Sequence, residues 1–241
     1  MRAADRNAAP RPVLCGGGRI GHNRAMNVYD RPRQILAAGL ATLAGFADAT
    51  GFLAAKSYFV SFMSGNTTRL AVDIVTDRHA ATLPALLIAG FVVGVTGGAL
   101  LADWAGTRRK SAVLGAAAGL LVLAAILQTG QRTGGFLACT VLSMGVINNS
   151  FRRNGEVAIG VTYMTGALVR FGQGLAAFLQ GSARPGWLGN LALWAGLVCG
   201  AVAGTAAFLH SQALSAWIAA GWAICLAASA VLIEGRGHPS S

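Results

Sequence analysis

The chain has 241 residues, of which 54% are hydrophobic and only 11% charged, where a soluble domain carries about 25% charged residues. With a mean hydropathy of +0.57, this excludes a water-soluble globular domain, and it excludes disorder beyond the first 33 residues or so. The net charge of +11 does not point to nucleic acid. The Lys and Arg residues sit in the N-terminal tail and in short connectors between apolar runs, as in the cytoplasmic loops of a bacterial membrane protein.

Residues 1–33 hold seven Arg and no apolar run long enough for the core of a signal peptide, so a cleaved secretory signal is not expected. This tail reads as basic, cytoplasmic and disordered. Met26 is an alternative start, because the membrane pattern begins just after it. Six apolar runs then reach the length of about 20 residues that a membrane span needs. They are Ile35–Ala55, Leu83–Ala102, Ser111–Thr129, Gly134–Phe151, Trp187–Leu209 and Ala213–Ile233. Pro84 falls at a helix start, where its missing N–H costs nothing. A short tail, 234–241, follows the last run.

Two other runs are more polar. Tyr58–Val75 contains Ser64, Gly65, Asn66, Thr67, Thr68, Arg69 and Asp73, and Val157–Gln180 contains Thr162, Thr165, Gly166, Arg170 and Gln173. An Arg at the centre of a membrane helix costs about 2.5–3.5 kcal/mol on insertion scales, so these segments need not be simple spans.

The two polar runs match each other. Met63-Ser64-Gly65 aligns with Met164-Thr165-Gly166, and Arg69-Leu70 with Arg170-Phe171. Upstream, Gly45-Phe46-Ala47-Asp48 aligns with Gly145-Val146-Ile147-Asn148. Each half, about 34–130 and 134–233, therefore reads as span, motif segment, span, span. If the motif segments cross, there are eight spans in a parallel repeat. If they are short or re-entrant, there are six in an inverted repeat. With the N-terminus in the cytoplasm, the six-span arrangement puts fourteen Lys and Arg inside and three outside, whereas the eight-span one puts eleven inside and six outside. The positive-inside bias selects six spans with both termini cytoplasmic, and starting the chain at Met26 does not remove that bias.

Asp48 lies within an apolar span, and an intramembrane carboxylate is a functional candidate. It is expected to bind a proton or cation, to pair with Arg69 or Arg170, or to cap a broken helix. Its counterpart Asn148 cannot titrate. Ser64, Gly65, Asn66 and Thr67 combine Gly, which permits non-helical backbone, with side chains that cap a helix restarting in the membrane. The N–H groups at such a restart favour an anion, and Arg69 adds positive charge. The alternative is close helix packing by small residues. Thr165, Gly166 and Arg170 echo the same features. No Walker loop, H-E-x-x-H or G-x-S-x-G motif is present, and His22, His79, His210 and His238 lack metal-ligand spacing. Cys139, Cys199 and Cys225 lie inside apolar runs and, with Cys15, form no C-x-x-C pair. Neither catalytic residues, a metal nor a cofactor is expected.

Gly45-Phe46-Ala47-Asp48-Ala49, followed by Phe59-Val60-Ser61-Phe62-Met63-Ser64-Gly65-Asn66-Thr67-Thr68, resembles the YoaK-like family of bacterial multi-pass membrane proteins, a domain of unknown function. Gly145 to Arg153 and Thr162 to Gly166 are similar to the family's second-half pattern, with departures. Ile147 stands where the family has Gln, Asn149 where it has Ala, and Ala167 follows Gly166 where Asn is usual. The resemblance covers residues 35–233 and implies a bacterial inner-membrane location, without implying a substrate. The expected function is transport of a small solute coupled to a proton or cation, with Asp48 as coupling group. The alternatives are a non-transporting scaffold or sensor subunit and, less favoured, an intramembrane enzyme using Ser64 or Asp48. Membrane lipid is the expected partner.

Overall fold

A computed structural model describes residues 31–150, 152–153, 156–157, 164–182 and 186–235. The tail before residue 31, Thr162, Tyr163, Arg184 and Arg236 lie outside the described residues. The described chain is all-α apart from a two-residue antiparallel pair, Arg152–Arg153 with Glu156–Val157. Its helices are α1 (Arg31–Ala54), α2 (Met63–Thr76), α3 (Thr82–Ala105), α4 (Arg109–Thr129), α5 (Thr133–Ile147), α6 (Met164–Leu179), α7 (Leu188–His210) and α8 (Gln212–Gly235). Four apolar helical stretches are long enough to cross a membrane: Gln34–Ala54, Thr82–Thr129, Leu188–His210 and Gln212–Gly235. The second of these contains both α3 and α4, separated by a turn at Gly106, which has φ +55°.

The apolar runs become helices because lipid leaves no other partner for backbone N–H and C=O groups. Hydroxyls on exposed faces obey the same constraint. Thr96 donates to Val92 O at 2.9 Å and Ser229 to Cys225 O at 2.8 Å, each closing on its own helix. Large apolar residues such as Leu86, Val93, Leu100, Val202 and Leu232 remain exposed, as expected of a surface that faces acyl chains. Leu40, Leu43, Phe46, Leu121, Met144, Ile147 and Leu193 fill the interior.

One expected span is corrected. The fourth apolar run was expected to reach Phe151, but α5 stops at Ile147. Beyond it, three polar side chains turn back onto the helix end: Asn148 Nδ2 donates to Met144 O, Asn149 Nδ2 to Val95 O of α3, and Ser150 Oγ to Ile147 O. Such side chains compete with the backbone ladder and end a helix. In the first motif run the helix begins only at Met63, and in the second α6 is described from Met164. The 14 and 16 residues of α2 and α6 span about 21 and 24 Å at 1.5 Å per residue, less than the roughly 30 Å of a hydrocarbon core.

Close contacts fix the helix directions. Gly196 lies by Thr42 Oγ1 and Ala38 O, Gly200 on Thr42 O and Gly204 on Phe46 O, so α1 and α7 run parallel. Gly90 lies by Val141, Gly94 on Leu142 O and Gly98 against Val146, so α3 and α5 also run parallel. The α8 helix is antiparallel to α1, with Leu226 against Gly39 and Trp222 beside Phe46. It is also antiparallel to α4. There, Glu234 at the end of α8 accepts from Lys110 N (2.9 Å), Ser111 N (3.3 Å) and Ser111 Oγ at the start of α4. At the opposite end Gln128 Nε2 donates to Gln212 Oε1 at 2.9 Å, and Trp217 Nε1 to Thr129 Oγ1 at 3.1 Å.

The α1–α7 and α3–α5 contacts repeat each other. Gly200 on Thr42 O matches Gly94 on Leu142 O, Gly204 on Phe46 matches Gly98 on Val146, and Gly45 on Leu197 O matches Gly145 on Phe91 O. The offset is 100 residues from α1 to α5 and 106 from α3 to α7 in all three pairs. Thr50 Oγ1 to Ala47 O and Ser150 Oγ to Ile147 O repeat at the same offset of 100.

Glu234 serves as an N-terminal cap for α4 supplied by another helix, placing negative charge at the positive end of the α4 dipole. Glu234→Ala is expected to lower stability by about 1–2 kcal/mol, with Glu234→Gln intermediate. Thermal unfolding in detergent measures this, and an unchanged midpoint for the Ala variant would refute the cap.

Candidate functional site

The polar motif of the first half forms a hairpin that folds back along α1. After Ala54 the chain turns through Lys56 (φ 52°) and Ser57 (φ 84°), a conformation that non-glycine residues rarely adopt. Ser57 N donates to Phe52 O at 2.8 Å. Val60, fully buried, then packs on Gly51, and Ser61 reaches Asp48. The chain therefore descends from the end of α1 to a point six residues back, about 9 Å along the axis, before α2 begins.

Asp48 holds the bottom of this hairpin. Its Oδ1 accepts from Val60 N at 2.9 Å and Ser61 N at 2.8 Å, and its Oδ2 accepts from Ser61 Oγ at 2.8 Å. Successive N–H groups just before a helix start make an anion-binding nest. Phe62, the residue preceding α2, makes no side-chain cap of its own. The anion expected at the helix restart is thus present, and it is the protein's own Asp48.

Asn66 clasps the same hairpin from α2. It is fully buried; its Oδ1 accepts from Phe59 N at 2.8 Å and its Nδ2 donates to Phe59 O at 2.7 Å. One side chain thereby satisfies both main-chain groups of a loop residue, as a neighbouring strand would. Gly65 has a different role from the one expected. It sits in the first turn of α2, where an added Cβ would lie 2.5 Å from Phe62 Cδ1 and 3.0 Å from Phe59 Cε2. Its missing side chain makes room for the rings of Phe52, Phe59 and Phe62, whose centroids are 4.9 and 5.3 Å apart.

The expected pairing of Asp48 with Arg69 or Arg170 does not form. The Arg69 guanidinium lies over the Tyr58 ring, 5.5 Å from its centroid, and Tyr58 OH donates to Asp73 Oδ2 at 2.6 Å. Arg170 Nε donates to Asn190 Oδ1 at 3.2 Å. Ser64 and Thr67 are exposed on the outer face of α2, and Thr67 Oγ1 bonds back to Met63 O at 2.9 Å. Neither reaches Asp48.

The aligned residues of the second half are in different settings. Asn148 bonds back to its own helix, to Met144 O at 2.8 Å. Thr165 is exposed, and the Arg170 guanidinium lies over Gly166, with Nη1 and Nη2 3.8 and 3.9 Å from where a Cβ would be. Ala167, in the place of Asn66, is buried and has no amide. The Trp187 ring stacks on Phe171 and Phe178, at 5.4 and 5.8 Å. Of the expected residues, the structure brings Asp48 and Asn66 onto one hairpin and leaves Ser64, Thr67, Arg69, Asn148, Thr165, Gly166 and Arg170 in other settings.

Sequence reasoning missed Ser61, Tyr58 and Asn190. Ser61 lies inside the motif, but its role depends on a fold-back that no local pattern announces. Asn190 was legible as an isolated amide in the apolar run Trp187–Leu209, with Arg170 in the motif segment before it.

The sequence matches the family described as Protein of unknown function (DUF1275) over residues 36–229. The chain belongs to this family. The DUF1275 match covers both motif segments, and the resemblance read from Asp48 and the Phe59–Thr68 motif is borne out. The chain is also 37% identical over 201 residues to the UPF0700 transmembrane protein RA0705 of Rhizobium meliloti (strain 1021), an alignment covering 83% of this chain and 87% of the relative. No solved structure matches. Apolar helices and a transmembrane relative together make this DUF1275 chain a multi-pass membrane protein.

Proposed function

We propose that the protein carries a small solute across the bacterial inner membrane, through a six-span inverted repeat whose two motif helices re-enter rather than cross. The antiparallel run of α4 against α8 carries this reading. These helices hold the same place in the two halves, so a repeat with four crossings per half would set them parallel. Antiparallel packing follows when α6, too short to cross, leaves the chain direction unreversed. In the first half, α1 and α4 both oppose α8 and so run parallel, which requires the same of α2. The three repeated backbone contacts at fixed offset support a pseudo-two-fold axis in the membrane plane. Inverted repeats with interrupted helices are a recurrent design of secondary transporters. The protein acts without a catalytic residue, metal or cofactor, and both termini face the cytoplasm.

Single cysteines at Lys56, Arg78 and Arg109, in a background lacking the native four, test the topology. Positions 56 and 78 are expected to label from outside and 109 from inside. Labelling of 56 and 78 from opposite faces would refute re-entry. Transport itself is tested in proteoliposomes under an imposed proton gradient, with solute-evoked currents recorded for amino acids, organic acids and organic cations. Silence across these classes, with the topology verified, would overturn the transport reading.

The internal satisfaction of Asp48 and Asn66 favours a second reading, a membrane scaffold in which the motif only shapes the surface. That reading predicts one stoichiometric protein partner in native-membrane pulldowns, and no solute current.

A further inference from the structure

We propose that Asp48 is a proton site and that its protonation unlatches the 55–62 hairpin, making α2 a gate at that end of the bundle. The proposal deepens the transport reading by supplying its proton step, and it rests on that reading for its purpose but not for its test.

The polar tie between the tip of the hairpin and α1 is one carboxylate, beside the apolar contacts of Val60 with Gly51 and Phe59 with Phe52. Val60 N, Ser61 N and Ser61 Oγ all converge on the carboxylate, and bonds to an ionised acceptor are roughly twice as strong as neutral ones. Protonation weakens all three bonds together and removes the negative charge at the positive end of the α2 dipole. The Asn66–Phe59 bonds are neutral and survive it, so the hairpin stays folded on α2 while its tie to α1 loosens. Among the helices, α2 otherwise packs on α3. The turn at Lys56 and Ser57, with both φ values positive, is a strained joint placed where such a movement would pivot.

Among the described residues, the hydrogen bonds to Asp48 come from the hairpin, and no ion pair with it forms. Arg69 is on the Tyr58 ring and Asp73 accepts a hydrogen bond from Tyr58 OH. The remaining titratable groups on the packed helices are Cys139 of α5, Cys199 and His210 of α7, and Cys225 and Glu234 of α8. None is bonded to Asp48, and Glu234 is engaged at the start of α4. Among the described residues, a proton on Asp48 therefore leaves no stranded partner charge.

The test is hydrogen–deuterium exchange of the full chain in nanodiscs from pH 4.5 to 8, scaled by intrinsic exchange, reading the segment 55–66 against a control segment within α4. Val60 and Ser61 report directly, since their N–H groups are bonded to the carboxylate. The expected result is a drop in hairpin protection of about tenfold or more on acidification, as charge-assisted bonds become neutral. Protection in Asp48→Asn is expected to be low and pH-independent. Should that variant fail to fold, Ser61→Ala decides. Removing one donor to the carboxylate destabilises its charged form, so the step must move to higher pH. Flat protection in the wild type, a step that survives in Asp48→Asn, or an unmoved midpoint in Ser61→Ala would each overturn the proposal. A step without solute currents would sink the transport reading alone, and currents without a step would sink the latch alone.

Discussion

Asn66→Ala is expected to be among the most destabilising single substitutions in the protein. The side chain is fully buried and satisfies both main-chain groups of Phe59. Truncation leaves an N–H and a C=O unpaired beneath the Phe52–Phe59–Phe62 cluster. Each costs about 1–3 kcal/mol, so the loss is roughly 2–6 kcal/mol. Asn66→Asp does not rescue it. The retained oxygen still accepts from Phe59 N, but the other carboxylate oxygen replaces the donor and faces Phe59 O. Thr67→Ala, one residue on, is the control, because its exposed hydroxyl only bonds back to Met63 O. Unfolding midpoints in detergent should separate the two variants clearly. If Asn66→Ala unfolds with Thr67→Ala, the clasp contributes nothing and the hairpin is held by other contacts.

That residue also shows where the sequence stopped being informative. The Ser64–Thr68 string was readable as a polar element at a helix restart, and the departure at Ala167 was readable as a weaker second half. The structure agrees on both points, since Ala167 is buried without an amide. Whether Asn66 faced a solute or its own backbone was not readable, because both uses ask for the same side chain. Gly65 posed the same ambiguity: a glycine kept for an unusual φ and one kept for an approaching ring look identical in one sequence. The apolar runs were legible from length and composition, since lipid imposes a helix regardless of side-chain detail. Their ends were less so. The end of α5 at Ile147 depends on three polar side chains folding back, one of them onto α3, and a hydropathy window averages such residues away. The pairing of α1 with α7 was out of reach for another reason. Membrane helices that are apolar all round carry no stripe that says which neighbour they meet.

Their glycines do say where the helices touch, and Gly200→Ala should be strongly destabilising for that reason. A Cβ at Gly200 would overlap Thr42 O, C and Cα. The obstacle is backbone of a neighbouring helix, so no rotamer change relieves it, and α1 and α7 must part. Overpacking typically costs about 1–3 kcal/mol, and this contact belongs at the upper end. Gly94→Ala meets Leu142 O, C and Cα in the same arrangement between α3 and α5, so its loss should be of similar size. Gly97→Ala and Gly221→Ala meet nothing within 4 Å, and in a helix Ala is favoured over Gly by roughly 0.5–1 kcal/mol. These two controls should hold or gain stability. Four unfolding midpoints therefore carry two conclusions. A large loss at Gly200 with none at Gly221 establishes the close α1–α7 packing, and equal midpoints refute it. Matched losses at Gly200 and Gly94 establish that the two parallel helix pairs are energetic as well as geometric copies. If Gly94→Ala is silent while Gly200→Ala unfolds the protein, the two helix pairs share a shape but not a stability. The α1–α7 pair would then be the rigid frame against which α3 and α5 move.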